Sequence, residues 1–185
     1  MTDQLTDTGL EAGTWTLDTA HTTIGFTARH LMSKVRGTFN EFEGRITTTT
    51  DPLESTIEVT IKASSISTNN EQRDAHLRSA DFFYPEIGGD LKFRSTAIRR
   101  DGDEYVITGD LTINGVTRSV DLQAEFLGTD VSPFGGMKVL GAEATTRIDR
   151  HDFNVNWNMP MDGGRFLVGP KIDIHLSIEA VPAAL

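Results

Sequence analysis

The sequence predicts an all-β fold, one antiparallel barrel of about eight strands with a single short helix. Three observations predict it. Apolar residues recur at every second position in several segments, Asx-Gly dipeptides sit between such segments, and only one short stretch has helical character. Alternation marks a strand because successive side chains point to opposite faces, so burial on one side leaves every second residue apolar.

Along the chain, Trp15 to Leu17, Ile24 to His30 and Gly37 to Thr48 are strand candidates rich in threonine and phenylalanine. Ile57, Val59, Ile61 and Ala63 alternate with Glu58, Thr60 and Lys62. Asn70 to Ser79 reads as the helix, with Asn69 or Asn70 as its cap and Leu77 as an apolar contact. Leu91 to Ile98, a strand from about Glu104, and a strand after Asn114-Gly115 form a meander, with Asp101-Gly102 as the first turn. On its middle strand Tyr105, Ile107, Leu111 and Ile113 share one face, interrupted by Gly109. Met137 to Ile148 and Gly169 to Ala180 complete the set, the last with Ile172, Ile174, Leu176 and Ile178 inward and His175 toward solvent.

So little helix cannot cover a sheet, so the one-sided strands must bury their faces against each other. A sandwich and a barrel both achieve this. Closure is preferred because it removes the edges of long alternating strands. Gly109, Ala124, Ala142 and Ala144 stand among bulkier inward candidates. The interior is then either incompletely filled, as in barrels that hold a small ligand, or packed by bulky groups from across the barrel.

At 185 residues the chain suits one domain, expected over residues 13–181 after a flexible N-terminal segment of residues 1–12. The acids near Met1 do not resemble a secretory signal, and no apolar run approaches the roughly 20 residues of a membrane-spanning helix, so a cytoplasmic protein is expected. A net charge of -10 disfavours nucleic acid as a partner. The absence of cysteine removes disulfides, thiol catalysis and thiolate zinc sites.

Four blocks then resemble a known family. They are Trp15-Thr16-Leu17-Asp18-Thr19-Ala20-His21 with Ile24-Gly25-Phe26, His30-Leu31-Met32-Ser33 and Gly37-Thr38-Phe39; Ser67 to Ser79 with Asp81-Phe82-Phe83; Gly109 to Thr117; and Ile148-Asp149-Arg150-His151-Asp152-Phe153. In order and spacing they resemble the YceI-like, polyisoprenoid-binding family, from about Gly13 to Ala180. The resemblance implies a lipocalin-like barrel with an elongated pocket for an isoprenoid chain, such as a polyprenyl phosphate or a quinone tail. It implies no catalysis and no cofactor beyond such a bound lipid, and relatives of this kind suggest a homodimer. The stretch Tyr84-Pro85-Glu86-Ile87-Gly88-Gly89-Asp90 departs from the family spacing and is expected to reshape a loop beside the helix.

An isoprenoid needs little polar recognition, because each buried methylene is worth about 0.8 kcal/mol. Phe26, Phe39, Phe42, Phe82, Phe83, Phe93, Leu111, Leu122, Phe126, Phe153 and Trp157 are the candidate lining, with His30 and Leu31 at a strand end beside them. Plain core packing is the competing role for each. The irregular stretch from Phe153 to Met161, with adaptable methionines, would suit a pocket mouth or a short edge strand. No metal site is expected, since no two histidines are spaced as ligands. Asp18-x-x-His21 and Asp149-Arg150-His151-Asp152 lack an accompanying nucleophile motif. Arg73 with Asp74, and Arg150 with Asp152, are expected to form ion pairs. The alternative function is a small barrel enzyme acting on an apolar substrate, and it requires His21, His30 and the Asp149 to Asp152 cluster to converge on one cavity.

Overall fold

A computed structural model describes residues 9–83 and 89–185. The Tyr84 to Gly88 part of the loop expected to be reshaped, and residues 1–8 of the N-terminal segment, lie outside the described residues.

The strands are β1 (Gly13–Leu17), β2 (Thr23–His30), β3 (Ser33–Phe39), β4 (Phe42–Thr48), β5 (Thr56–Lys62), β6 (Ile66–Ser67), β7 (Asp90–Asp101), β8 (Glu104–Ile113), β9 (Val116–Val131), β10 (Lys138–Asp149), β11 (Pro160–Met161), β12 (Arg165–Phe166) and β13 (Val168–Pro182). Register shows that three pairs of these run end to end. β1 and β2 lie in succession along the same edge of β13, with Leu17 opposite Ala180 and Thr23 opposite Ser177. β3 and β4 follow them on the other side, and β5 and β6 follow those in turn. Among the described residues the result is eight antiparallel staves in sequential order, closed where β13 meets β1 and β2. The single strand expected from Gly37 to Thr48 is interrupted at Asn40-Glu41, where the Asn40 amide donates to Ser65 O in the link between β5 and β6 and Glu41 O accepts from the Lys62 amide.

The turns form where backbone chemistry demands. Asn114 and Gly115 both take positive φ, 52° and 73°, between the paired Ile113 and Val116, which is the two-residue turn whose twist matches its flanking strands. The helix α1 (Glu71–Leu77) is capped by Asn70, whose side chain accepts from the Arg73 amide. No described helix is long and apolar enough to cross a membrane.

The two barrel ends differ. At one, the Trp15 indole is 3% exposed and donates to Thr48 Oγ1 at 2.9 Å, packing with Leu17, Ile46, Leu140 and Ala180, while Leu10 lies against this cluster from outside. At the other stand the β2–β3 turn, α1, the Asn114-Gly115 turn and the connection from Arg150 to Leu167. Among the described residues, the contacting aromatic rings are at this second end.

Candidate functional site: an apolar interior and its mouth

Inside the barrel lies a cavity of about 160 Å³. Its wall is the inward face of the alternation, including Ile24, Phe39, Val59, Phe93, Ile107, Leu111, Leu122, Ala124, Ala144, Ile174 and Leu176, with Thr146 and part of Glu143 as its polar members. A cavity this apolar offers water too few partners and stays dry, whereas apolar molecules enter such spaces. Two close approaches shape it. The Phe93 ring lies where a Cβ on Gly109 would stand, 2.3 Å away, and the Phe26 ring does the same over Gly37 at 2.4 Å. Only glycine lets these rings lie flat on the opposing strand.

Phe26 also borders a second, more open pocket of about 510 Å³ outside it. This outer pocket takes Arg29, His30 and Val35 from the β2–β3 hairpin, Asn70, Gln72, Arg73, His76 and Leu77 from α1 and its cap, and Phe82, Trp157 and Leu167 from the connections. The Phe26 side chain stands between a dry interior and a polar rim.

The rim is held by buried polar bonds. The Arg150 guanidinium is 4% exposed and donates to four backbone carbonyls, Val155 at 2.7 Å, Trp157 and Gly169 at 2.9 Å and Val168 at 3.2 Å. Burial pushes its pKa down and the Asp149 charge opposes that. The expected Arg150–Asp152 pair is therefore corrected: the guanidinium ties the crossing segment, at Val155 and Trp157, to the irregular start of β13 at Val168 and Gly169. Arg73 and Asp74 likewise meet through a third residue. Asp74 accepts from the Thr68 amide and hydroxyl, and Arg73 donates to the Thr68 hydroxyl and carbonyl. Asn158 gives β13 a partner, its side-chain amide donating to Val168 O and accepting from Val168 N. Asn114 Nδ2 donates to Phe82 O at 2.7 Å. His76 stands edge-on to Phe82 and Trp157, with centroids at 5.1 and 4.7 Å, and its Nε2 is 2.8 Å from Asp81.

The candidate residues divide as follows. Phe26, Phe39, Phe93, Leu111 and Leu122 line the inner cavity. His30, Phe82 and Trp157 join Phe26 on the outer pocket. Phe83 packs edge-on to Phe39, Phe42 and Phe153 are core packing, and Phe126 lines a recess of about 100 Å³ beneath Leu10 instead. Leu31 is 47% exposed at the turn tip. The aliphatic wall of Ile57, Ile61, Leu91, Ile174 and Ile178 was not among the candidates, although their alternation carries the same inward signal as the phenylalanines.

His30 and His76 border the outer pocket, but His21 and the Asp149 to Asp152 cluster do not join them there. His151 pairs with Asp149 at 2.9 Å on the outside, and His21 pairs with Asp18 at 2.8 Å on the barrel wall. The convergence that the enzyme alternative requires is absent among the described residues. Asp18, His21 and Glu179 do form one group with donor atoms within 4.8 Å of one another. The hydrogen bond to Asp18, then the charges of Asp18 and Glu179, hold the His21 imidazole protonated to higher pH than usual, and the His21 bond holds the Asp18 carboxyl below its ordinary range. Stability from His21 is present below the ordinary value of 6.5 and lost as pH rises through its raised value. Stability from Asp18 is present above 3.8 and lost as pH falls through its lowered value. An NMR titration is therefore expected to find His21 titrating above 6.5, with Asp18→Asn bringing it back. A midpoint unmoved by that substitution contradicts the pairing.

The YceI-like domain matches residues 15–180. Over 166 residues the chain is 42% identical to UPF0312 protein plu2095 of Photorhabdus laumondii, covering 87% of this chain and 81% of that one. It is 39% identical to protein YceI of Escherichia coli O157:H7, covering 87% and 82%. Among solved structures it is similar to a Campylobacter jejuni YCEI protein, with TM-score 0.70 and 31% identity over 91% of this chain and 97% of that one. It also shares its fold with a polyisoprenoid-binding domain from Saccharophagus degradans, with TM-score 0.65 and 12% identity over 94% and 100% of the two chains. With a family match across almost the whole barrel and relatives near 40% identity, this chain belongs to the YceI-like family.

Proposed function

We propose that the protein binds and carries a long apolar lipid of the isoprenoid type, a polyprenyl phosphate or a quinone, with the chain in the barrel interior and the polar head in the outer pocket. The observation that carries this reading is the pairing of a dry interior of about 160 Å³ with a polar-rimmed outer pocket of about 510 Å³ across one side chain, Phe26. Each methylene moved from water into the interior is worth about 0.8 kcal/mol, so about ten buried carbons supply the roughly 8 kcal/mol of micromolar affinity, and an interior of about 160 Å³, room for one aromatic ring, has to widen as a tail of that length enters. Arg29 and Arg73 border the outer pocket and suit a phosphate, and Asn70 and Gln72 suit a quinone carbonyl. The binding description of the Saccharophagus degradans domain supports the same reading. The function so proposed has no chemical step, and the domain that performs it is residues 13–181.

Titration with a polyprenyl phosphate and with a long-tailed quinone, followed by Trp157 fluorescence in a Trp15→Phe background, tests this. Saturable quenching at about one ligand per chain is expected for at least one of them. A flat response to both, with the fold intact by circular dichroism, overturns the reading.

A further inference from the structure

The lip of the outer pocket exposes apolar side chains that no packing explains. Met32 is 89% exposed and Leu31 47% at the β2–β3 turn, while Phe166 is 61% and Met159 51% exposed beside β11 and β12. These two hairpins stand side by side, because the Leu31 amide donates to Leu167 O at 2.9 Å and the Leu167 amide to Met159 O at 3.0 Å. The exposed apolar groups at the tip of the first hairpin and at the base of the second thus lie on the same side of the mouth, a patch of the sort that marks an interaction site.

The same lip is basic in an acidic protein. Residues 29–36 hold Arg29, Lys34 and Arg36 and no acid, and residues 157–168 hold Arg165 against Asp162, in a chain of net charge -10. Arg29 lies directly across the ladder from Lys34, an arrangement of like charges that costs stability. None of Arg29, Lys34, Arg36 and Arg165 has a carboxylate within ion-pair distance among the described residues, although Lys34 adds to the field that lowers the Asp173 carboxyl. At the opposite barrel end Asp51, Glu54, Asp101, Asp103 and Asp130, in the connections and the strand ends beside them, outnumber Arg99, Arg100 and Lys138. A negatively charged surface would therefore attract one end of the molecule and repel the other, over a Debye length of about 8 Å at physiological salt.

We propose that this lip docks on an anionic lipid bilayer, with Met32 and Phe166 entering the headgroup boundary and Lys34 and Arg165 meeting lipid phosphates. Exposed apolar groups flanked by cations are the combination that such surfaces select. Docking in this pose sets the outer pocket against the membrane, so a lipid tail passes between bilayer and barrel without crossing water. The inference rests on the lipid-carrier reading for its purpose, and its test is separate.

Sedimentation with vesicles of phosphatidylglycerol and phosphatidylcholine, compared with pure phosphatidylcholine vesicles, is the experiment. Preferential binding to the anionic vesicles is expected, falling as salt rises. Met32→Asp with Phe166→Asp, and separately Lys34→Glu with Arg165→Glu, should each weaken it about tenfold or more. Phe134→Asp, at a residue 90% exposed at the far end, should leave it unchanged. Equal binding to both vesicle types, or equal loss with Phe134→Asp, overturns the proposal. So does a dimer in analytical ultracentrifugation that Met32→Asp with Phe166→Asp dissolves while no vesicle binding is seen, which would make the lip a contact between copies of this chain. Saturable ligand binding without vesicle binding removes the docking and leaves the carrier, and vesicle binding without saturable ligand binding removes the carrier instead.

Discussion

Arg150→Met is expected to lower the unfolding free energy by about 3–5 kcal/mol, the largest effect of any single substitution at the mouth. The guanidinium serves four carbonyls on Val155, Trp157, Val168 and Gly169. An orphaned buried polar group costs roughly 1–3 kcal/mol, and the total falls short of the fourfold sum because Val168 O keeps the Asn158 amide and water reaches others of these carbonyls once the segment loosens. For a chain of this size the loss corresponds to a fall in Tm of about 10 °C. Arg150→Lys keeps the charge but not the fork, and should recover less than half of the loss. Urea titration measures both. A loss under about 1 kcal/mol for Arg150→Met would show that the crossing segment is held by something else.

Ala144→Phe is expected to separate binding from folding. Ala144 is 8% exposed, faces Ala124 across the β9–β10 ladder, and both line the inner cavity. Apolar cavities of about 150 Å³ accept a benzene ring, so a phenyl group has room in one of about 160 Å³. Filling the cavity should leave stability unchanged or raise it by about 1 kcal/mol. A ligand tail that loses about three methylenes of burial at ~0.8 kcal/mol each binds roughly fiftyfold more weakly. Calorimetric titration of the variant beside the parent checks this. Undiminished affinity at unchanged stability would place the ligand outside the barrel interior.

Much of the barrel is legible in the residues. The alternation of Ile57, Val59 and Ile61 and of Ile174, Leu176 and Ile178 reports inward faces, and these side chains do line the interior. Asn114-Gly115 marks its hairpin because few other residues accept positive φ at both positions. The break at Asp18 to Thr22 falls between two runs that read as separate strands, whereas the one at Asn40-Glu41 lies inside the run read as one strand from Gly37 to Thr48. There the inward parity passes from Phe39 to Phe42 and the pairing shifts from Phe39 opposite Ile66 to Phe42 opposite Ile61, a slip that a single change of parity among threonines and glycines does not announce. The mouth is harder still. Arg150 beside Asp152 reads as an ion pair, because sequence displays neighbouring charges but not the unpaired carbonyls of a crossing segment. Phe126 illustrates the same limit: its parity on β9 is that of Leu122 and Ala124, yet the register shift between Gly141 and Ala142 and the approach of Leu10 place it on a separate recess. The basic character of the lip is written in residues 29–36, but that Met32 and Phe166 share it depends on two hairpins far apart in the chain.

Organic extraction of the natively purified protein, followed by mass spectrometry, tests the central claim most directly. The interior described above predicts a long apolar compound at up to one molecule per chain from the parent protein, and markedly less from Ala144→Phe purified in parallel. Recovery of no apolar compound above the level of a control protein, together with no uptake of added polyprenyl phosphate or quinone, would contradict it.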